Sequence, residues 1–290
     1  MRWRNSRKSS NVEDRRGSSD RRSGLPLPIG RGGKISLPMI ILAGILFFVF
    51  DINPLQILGG GSMTAPSSNT STQTAANDES QQFVAAVLGS TEDIWGEIFP
   101  EATGSRYQPT TLVMFSGMTR SACGTAQSAT GPFYCPSDRK VYLDTSFFDE
   151  LSRRFGAPGD FAPAYVIAHE VGHHIQTVLG ISEQVRRLQM QNPRLKNEYS
   201  VRQELQADCL AGVWAHYADK KYNLLEQGDI QEAMRAANAI GDDRLQKQAQ
   251  GYAVPDSFTH GSSAQRQRWL ARGVETGDII QCDTFNASSL

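Results

Sequence analysis

The feature that most constrains the fold is a pair of histidines four residues apart in an apolar stretch. The string His169-Glu170-Val171-Gly172-His173 lies in a segment that begins near residue 160 and stops before Gly180. Its pattern predicts a helix, and residues four apart share one helix face. Both imidazoles can therefore reach one metal ion. Glu170 is rotated by about 100° and flanks that ion.

These groups match what zinc-dependent hydrolysis requires. Zinc there is held by neutral nitrogen ligands, and a nearby carboxylate takes a proton from a bound water. The five-residue pattern also occurs by chance on helices, so the hypothesis needs a third protein ligand. Two imidazoles with one carboxylate favour zinc, and another divalent ion is the alternative.

A third ligand is predicted from the string Glu204-Leu205-Gln206-Ala207-Asp208, on a helix expected from Ser200 to about Asp219. Glu204 would bind the ion. Asp208 lies one turn later on the same face, where it can accept the free N–H of a ligand histidine and fix the ring orientation. A solvated acidic face is the alternative. The mostly apolar neighbours instead indicate a buried helix, where unpaired carboxylates are costly.

The rest of the chain predicts an α+β fold that is mainly helical, with a small sheet beside the histidine helix. β-branched and apolar residues predict strands at 110–115 and 140–144. The strand at 140–144 either binds an extended peptide along its edge or is a plain core strand. Helical periodicity predicts the further helices 82–98, 145–155, 229–248 and 263–274.

A basic leader and an apolar run precede this domain. Residues 1–34 hold ten Lys or Arg against three acidic residues, whereas residues 35–50 hold no charge. Sixteen helical residues reach about 24 Å, and residues 53–58 extend the run weakly. We expect a single transmembrane anchor at 35–58, oriented by the positive charge with its N-terminus in the cytoplasm. A cleaved signal peptide and a buried core helix are the alternatives.

The expected organisation is thus a basic cytoplasmic arm (1–34), the anchor (35–58), a flexible linker (59–81) and a folded domain (82–290) on the periplasmic or extracytoplasmic side. The linker is rich in Gly, Ser and Thr. Residues 35–290 carry 19 basic and 27 acidic groups. Their net negative charge repels phosphate backbones and argues against nucleic-acid binding. The oligomeric state is not indicated.

Four cysteines, Cys123, Cys135, Cys209 and Cys282, lie beyond the predicted anchor. An even number in a translocated domain suggests disulfides. A local pairing of Cys123 with Cys135 would leave Cys209 to tie a helix to the C-terminal tail through Cys282. Four independent thiols are the alternative. A zinc site on these residues is disfavoured because no pair has the C-x-x-C spacing.

Four other cationic side chains have open interpretations. His174 points about 100° away from His173 and is expected to pack or to bond a neighbouring group. His216 lies more than three turns past Glu204 and is expected on the helix surface or in the core. Arg266 and Arg268 either neutralise buried carboxylates or face solvent.

H-E-x-x-H followed about thirty residues later by E-x-x-A-D resembles the gluzincin metallopeptidases, such as the prenyl-protein and heat-shock membrane proteases. The chain resembles a bacterial family of neutral zinc metallopeptidases more closely. The strings that carry this resemblance are residues 123–124, 131–136, 169–174, 204–209 and 259–261. The likeness covers the anchor and nearly all of residues 82–286. It implies a zincin-like domain, one Zn²⁺ ion, and a role for His260 in stabilising the oxyanion. A surface loop histidine is the alternative for His260.

The predicted function is that of a membrane-anchored zinc metallopeptidase acting on peptide or protein substrates. Water held at His169, His173 and Glu204 would attack the peptide bond, with Glu170 as general base. Two alternatives stay open: a zinc-stabilised binding or scaffold protein without turnover, and a zinc amidohydrolase that acts on a non-peptide amide.

Overall fold

Eight helices pack beside two small sheets in the part of the chain that the structure describes. This structure is a computed structural model and describes residues 1–17 and 78–290. The helices are α1 (Glu79–Thr103), α2 (Ser146–Arg153), α3 (Phe161–Val178), α4 (Ile181–Gln191), α5 (Lys196–Tyr222), α6 (Asp229–Ala239), α7 (Asp242–Gln250) and α8 (Ser263–Thr276). The strands are β1 (Val12–Asp14), β2 (Thr111–Phe115), β3 (Met118–Ser121), β4 (Gly124–Gln127), β5 (Phe133–Cys135) and β6 (Lys140–Asp144). The predicted α+β, mainly helical fold is confirmed.

The larger sheet has the strand order β1-β2-β6-β5. Its first three strands run parallel, and β5 pairs antiparallel with β6, with Tyr134 opposite Val141. β3 and β4 form a separate hairpin. Because β6 lies between β2 and β5, the predicted strand at 140–144 is a core strand. Its alternative interpretation as a peptide-binding edge is therefore wrong, and β5 occupies that edge of the sheet.

Small residues let the site-bearing helices approach one another closely. A Cβ atom on Gly172 of α3 would lie 3.0 Å from the backbone oxygen of Ala207 on α5. A Cβ atom on Gly273 of α8 would lie only 2.0 Å from the backbone oxygen of Cys209 on α5. Side chains larger than glycine would force these helices apart. The two contacts hold α5 between α3 and α8.

Several helix boundaries differ from the prediction, by up to five residues at the C-terminal end of α1. The helix expected at 229–248 is two helices, α6 and α7, that are separated at Ile240 and Gly241. Gly241 packs against Ser263, where a Cβ atom would lie 2.4 Å from the Ser263 backbone nitrogen. α5 begins at Lys196, four residues before the predicted start at Ser200. At the break between α6 and α7, tertiary packing overrides the local helical pattern.

Residues 1–17 pack against α1 and the larger sheet instead of forming a separate arm. They belong to the same compact unit as residues 78–290. Trp3 is 4% exposed and its ring meets Phe83 of α1 edge-to-face at 5.4 Å. Arg7 pairs with Glu92 of α1 at 2.7 Å. Acidic residues of the domain thus neutralise part of the basic charge that had suggested a cytoplasmic arm.

This packing does not support the prediction that residues 1–34 form a separate cytoplasmic arm, because β1 pairs with β2 of the folded domain. Among residues 1–17 and 78–290, no helix combines the length and apolarity needed to cross a bilayer. The predicted anchor at 35–58 and residues 59–77 of the predicted linker lie outside the described residues. Residues 79–81 of that linker are the first turn of α1.

Both predicted disulfides form. Cys123 pairs with Cys135 and links the β3–β4 hairpin to the edge strand β5. Cys209 pairs with Cys282 and attaches the C-terminal segment to α5, one residue after Asp208. Both links fall where the sequence placed them, and the second stabilises the C-terminal segment beside the candidate site.

Candidate metal centre

Two imidazoles and one carboxylate converge where α3 faces α5. The Nε2 atom of His169 lies 3.2 Å from one Glu204 carboxylate oxygen, and the Nε2 atom of His173 lies 3.5 Å from the other. One ligand atom from each of the three residues can be chosen so that all lie within 4.8 Å of one another. The spacing on the two helices therefore produces the convergence that the sequence predicted.

The ring of His169 is held by a buried carboxylate. Its Nδ1 atom lies 2.8 Å from Asp208 Oδ1, and Asp208 is fully buried. The ionised carboxylate can only accept, so Nδ1 carries a proton and Nε2 faces Glu204. Asp208 thus lies where the sequence predicted it, holding the tautomer and orientation of His169.

Asp208 is itself fixed by two partners. Arg266 of α8, 3% exposed, donates from Nε and Nη2 to the two Asp208 oxygens, each at 2.9 Å. The hydroxyl of Tyr165 donates to Asp208 Oδ1 at 2.5 Å and accepts from Arg266. Of the two options for Arg266, neutralising a buried carboxylate is the one found. Arg268 bonds the backbone oxygen of Leu290 at the surface.

Charge at the centre follows from these contacts. Burial opposes ionisation of Asp208, but the Arg266 guanidinium and His169 outweigh it and lower the pKa of Asp208 to about 2. Burial also disfavours a positive charge on His169, yet the carboxylates of Asp208 and Glu204 raise its pKa to about 10. The pKa of His173 is raised as well, because Glu204 outweighs the effect of burial. The field at the two imidazoles therefore favours positive charge.

The ring of His173 is held by a neutral amide. Gln176, fully buried on α3, accepts from His173 Nδ1 through Oε1 at 2.9 Å. Its amide nitrogen donates to the backbone oxygen of Gln203 and to Gln206 Oε1, at 2.7 and 3.0 Å. Gln206 in turn donates to the backbone oxygen of Cys282 at 3.1 Å. Because both amide hydrogens of Gln176 have acceptors, its oxygen faces His173 and directs Nε2 toward Glu204.

Glu170 lies beside these ligands in the same cavity. It is 7% exposed and lines a cavity of about 510 Å³ together with the three ligands. Within residues 1–17 and 78–290, its carboxylate takes part in no hydrogen bond or ion pair. It interacts electrostatically with His173. The carboxylate is thus available to accept a proton from a molecule in the cavity.

His260 reaches the cavity from the loop before α8. Its Nδ1 atom lies 3.2 Å from Asp242 Oδ1 and 3.1 Å from the Thr259 hydroxyl, and among residues 1–17 and 78–290 no hydrogen bond involves Nε2. Asp242 Oδ2 also accepts from three consecutive backbone N–H groups, those of Thr259, His260 and Gly261. The His260 side chain is 52% exposed on this loop, and its hydrogen bond with Asp242 raises its pKa. Asp242 thus shapes the loop that carries His260.

The other two histidines lie away from the ligands. His174 is buried, with Nδ1 at 3.1 Å from the Tyr134 hydroxyl and Nε2 at 2.6 Å from the Gln108 backbone oxygen. Burial lowers its pKa, so it is a neutral packing residue. His216 contacts the Val274 backbone oxygen at 2.8 Å. Both agree with the structural interpretations that the sequence favoured for them.

Sequence reasoning missed three residues that support the site: Tyr165, Gln176 and Asp242. Gln176 follows His173 by three residues, so the helical spacing alone could have suggested it. Tyr165 precedes His169 by four residues and carries the same signal. Asp242 had no such signal, because it lay within a segment predicted as a continuous helix.

The donor set fits a zinc ion. Zinc in hydrolytic sites is bound by three protein ligands, and histidine nitrogens with a carboxylate are a common set. The carboxylates of Glu204 and Asp208 lie against the two imidazoles and would stabilise positive charge at the point where a divalent cation would be bound. His169, His173 and Glu204 would hold the ion, with Asp208 and Gln176 orienting the rings.

Comparisons with known proteins place the chain in a zinc metallopeptidase family. The family model described as "Putative neutral zinc metallopeptidase" matches residues 1–285. A protein of Escherichia coli K12, called "Uncharacterized protein YpfJ", is 50% identical over 99% of this chain and 100% of its own length. "Uncharacterized protein Rv2575" of Mycobacterium tuberculosis H37Rv is 43% identical over 74% of each chain.

No solved structure matches this chain. The family match spans nearly the whole sequence, including residues 1–17 that pack on the domain. The chain is therefore a member of the neutral zinc metallopeptidase family that this model describes.

Proposed function

We propose that this protein is a zinc-dependent peptidase that hydrolyses peptide bonds with a water molecule as nucleophile. The observation that carries the proposal is the convergence of the two Nε2 atoms and the Glu204 carboxylate, with the Glu170 carboxylate beside them in one cavity. A zinc ion held by His169, His173 and Glu204 would lower the pKa of a bound water and polarise the scissile carbonyl.

The chain's own residues supply the remaining chemistry. Glu170 accepts the proton of the attacking water and returns it to the leaving amine. His260 donates from Nε2 to the oxygen of the tetrahedral intermediate, a role suited to a donor preoriented by Asp242. Asp208 and Gln176 keep the two ligand imidazoles oriented while the negative charge develops.

β5 is the element that we expect to position the substrate. It forms one edge of the larger sheet, and its residues Phe133 and Tyr134 line the same cavity as the three ligands. An extended peptide can add to such an edge through backbone hydrogen bonds. This mode of binding suits an unfolded polypeptide and favours peptides over other amides as substrates.

The proposal is tested with a Glu170→Gln variant. The amide has the shape of the carboxylate but cannot accept a proton, so we expect zinc to stay bound and hydrolysis to fall by several orders of magnitude, if proton transfer limits the rate. Peptide cleavage and zinc content are measured on the same preparations. Glu183→Gln is the matched control, because Glu183 lies on the surface of α4 in an ion pair with Arg187.

Cleavage by the Glu170→Gln variant at the parent rate would show that Glu170 has another role. If zinc-loaded parent binds peptides without cleaving them, the binding or scaffold alternative replaces the proposal. If it cleaves only non-peptide amides, it is an amidohydrolase. Whether residues 35–58 anchor the enzyme to a membrane stays a prediction.

A further inference from the structure

The cavity beside the proposed zinc site has an aromatic wall that the mechanism does not use. Phe147 of α2 and Phe155 line it, with ring centroids 6.4 Å apart, and both are only half-buried. Pro132 and Leu245 add further apolar lining. The large aromatic side chains of the core, such as Trp95, are fully buried, and exposed apolar side chains such as Met190 and Ile280 are not among the residues that line this cavity. Aromatic surface left in a cleft next to reactive groups is typical of a binding site.

The local structure explains why these rings face the cavity. Phe147 and Phe148 are neighbours on α2 and point about 100° apart. Phe148 turns toward α1 and meets the ring of Phe83 edge-to-face at 5.7 Å. Phe147 turns the other way, toward the cavity and Phe155. Both phenylalanine rings of α2 pack partly against the core, but only Phe147 also lines the cavity.

Charge does not select the ligand at this wall. Glu150 and Arg154 are the charged residues that α2 and its C-terminal cap bring to the cavity, and their opposite charges lie one helical turn apart. The Arg154 guanidinium also lies 5.5 Å from the Phe155 ring centroid. A side chain that enters here gains by leaving water and contacting aromatic rings, and gains little from a charge of its own.

We propose that this enzyme cleaves unfolded polypeptides beside a large apolar side chain, aromatic or branched aliphatic, which binds against Phe147 and Phe155. The inference rests on the proposed peptidase function, since it names the substrate class of the same cavity. The volume of about 510 Å³ is sufficient for a side chain of this size with its backbone.

The test first measures which residues are preferred beside the cleaved bond. It then asks whether the Phe147→Ala variant loses that preference. Zinc-loaded full-length protein is incubated with a mixture of unstructured peptides of random sequence, and cleavage positions are read by mass spectrometry. We expect Phe, Leu, Ile or Tyr to be enriched beside the cleaved bond by about tenfold or more over Ser. Two peptides that differ only as Phe or Ser at that position then give the ratio of kcat/KM values.

Two variants of the same residue type separate recognition from folding. Phe147→Ala should lower the Phe-to-Ser ratio about tenfold, because the apolar contact is lost. Phe148→Ala is the matched control and should lower thermal stability while leaving the ratio unchanged. Zinc-dependent cleavage without apolar enrichment would overturn the inference and leave the peptidase proposal intact. A Phe147→Ala ratio equal to the parent's would overturn it as well.

A binding measurement covers the case in which the parent cleaves nothing. The zinc-loaded Glu170→Gln variant is titrated with the fluorescently labelled Phe and Ser peptides, and anisotropy gives both affinities. Tighter binding of the Phe peptide, reduced by Phe147→Ala, supports the apolar site even if the peptidase proposal fails. Equal binding of the two peptides contradicts it.

Discussion

His169 and His173 of the candidate metal site are supported in different ways, although they lie on one helix and face one carboxylate. His169 is held by Asp208, an ionised carboxylate that is paired with Arg266. His173 is held by Gln176, a neutral amide that continues through Gln206 to a backbone oxygen. One support is a buried ion pair, and the other is a chain of neutral hydrogen bonds.

The difference shows that the orientation of an imidazole ring and the negative charge beside it can be provided independently. A neutral amide fixes the tautomer of an imidazole but adds no net charge. A carboxylate also makes the imidazole a stronger donor to a cation, at the expense of burying a charge that needs its own partner. Arg266, on a third helix, α8, is that partner of Asp208. Substitutions among the residues that support His169 should therefore lower stability and zinc affinity more than substitutions among those that support His173.

The largest effect should come from Arg266→Met, which leaves Asp208 buried and without its cation. Removing one partner of a buried ion pair costs about 3–5 kcal/mol in unfolding free energy. Zinc affinity should also fall about 10–100-fold, because the orientation of His169 relaxes. Denaturant unfolding of the chelated protein and zinc titration measure the two quantities.

Arg268→Met is the matched control, since Arg268 lies two residues away on α8 at the surface. It should change neither quantity by more than about 0.5 kcal/mol. An Arg266→Met protein as stable as this control would show that the ion pair does not support the site.

The next effect is the pH dependence of the unfolding free energy that the Asp208 carboxyl causes. Its ordinary pKa is 3.8, and in the fold the pKa is about 2. Between these values the unfolded chain takes up a proton that the folded protein does not. The resulting stabilisation, about 2 kcal/mol, is fully present above pH 4 and is lost as the pH falls through 2. Unfolding free energies of the chelated protein between pH 5 and 2 measure it.

Comparison of variants isolates this contribution from that of other carboxylates. Arg266→Met should flatten the acid dependence, because without the guanidinium the pKa of Asp208 returns toward its ordinary value. Gln176→Ala should keep the parent's slope. Equal slopes in all three proteins would mean that Asp208 does not carry this pH dependence.

The smallest effect should come from Gln176→Ala, which removes the neutral amide that supports His173. It leaves the Nδ1–H group of His173 and the Gln206 oxygen without this partner, which costs about 1–2 kcal/mol in unfolding free energy. Zinc affinity should fall less than in Arg266→Met. Gln184→Ala at the surface of α4 is the control. A larger loss for Gln176→Ala than for Arg266→Met would reverse the proposed ranking of the two supports.

The helix pair at the site was predictable because its chemistry follows from local spacing. Four-residue steps on two helices place His169 with His173 and Glu204 with Asp208, whatever the rest of the fold does. The arginine alternatives could not be separated in the same way. Whether Arg266 or Arg268 points inward depends on how α8 crosses α5, and that crossing depends on the close contact at Gly273.

The packing of residues 1–17 on the domain was not predicted, for a related reason. The basic charge of this segment and the apolar run after it favour a membrane topology when they are considered locally. The burial of Trp3 and the pairing of β1 with β2 depend on residues about 80 to 100 positions away. Local charge could not reveal partners at that distance. The break before Asp242, which brings that residue to His260, has the same long-range origin.

The central claim is that His169, His173 and Glu204 together hold one zinc ion. Metal analysis of purified protein by mass spectrometry, with Glu204→Ala beside Glu198→Ala, tests it most directly. Glu198 lies on the same helix and pairs with Arg202 at the surface. We predict one zinc per chain in the parent and in Glu198→Ala, and its loss in Glu204→Ala. A parent without zinc, or a Glu204→Ala protein that retains a full equivalent, would contradict the claim.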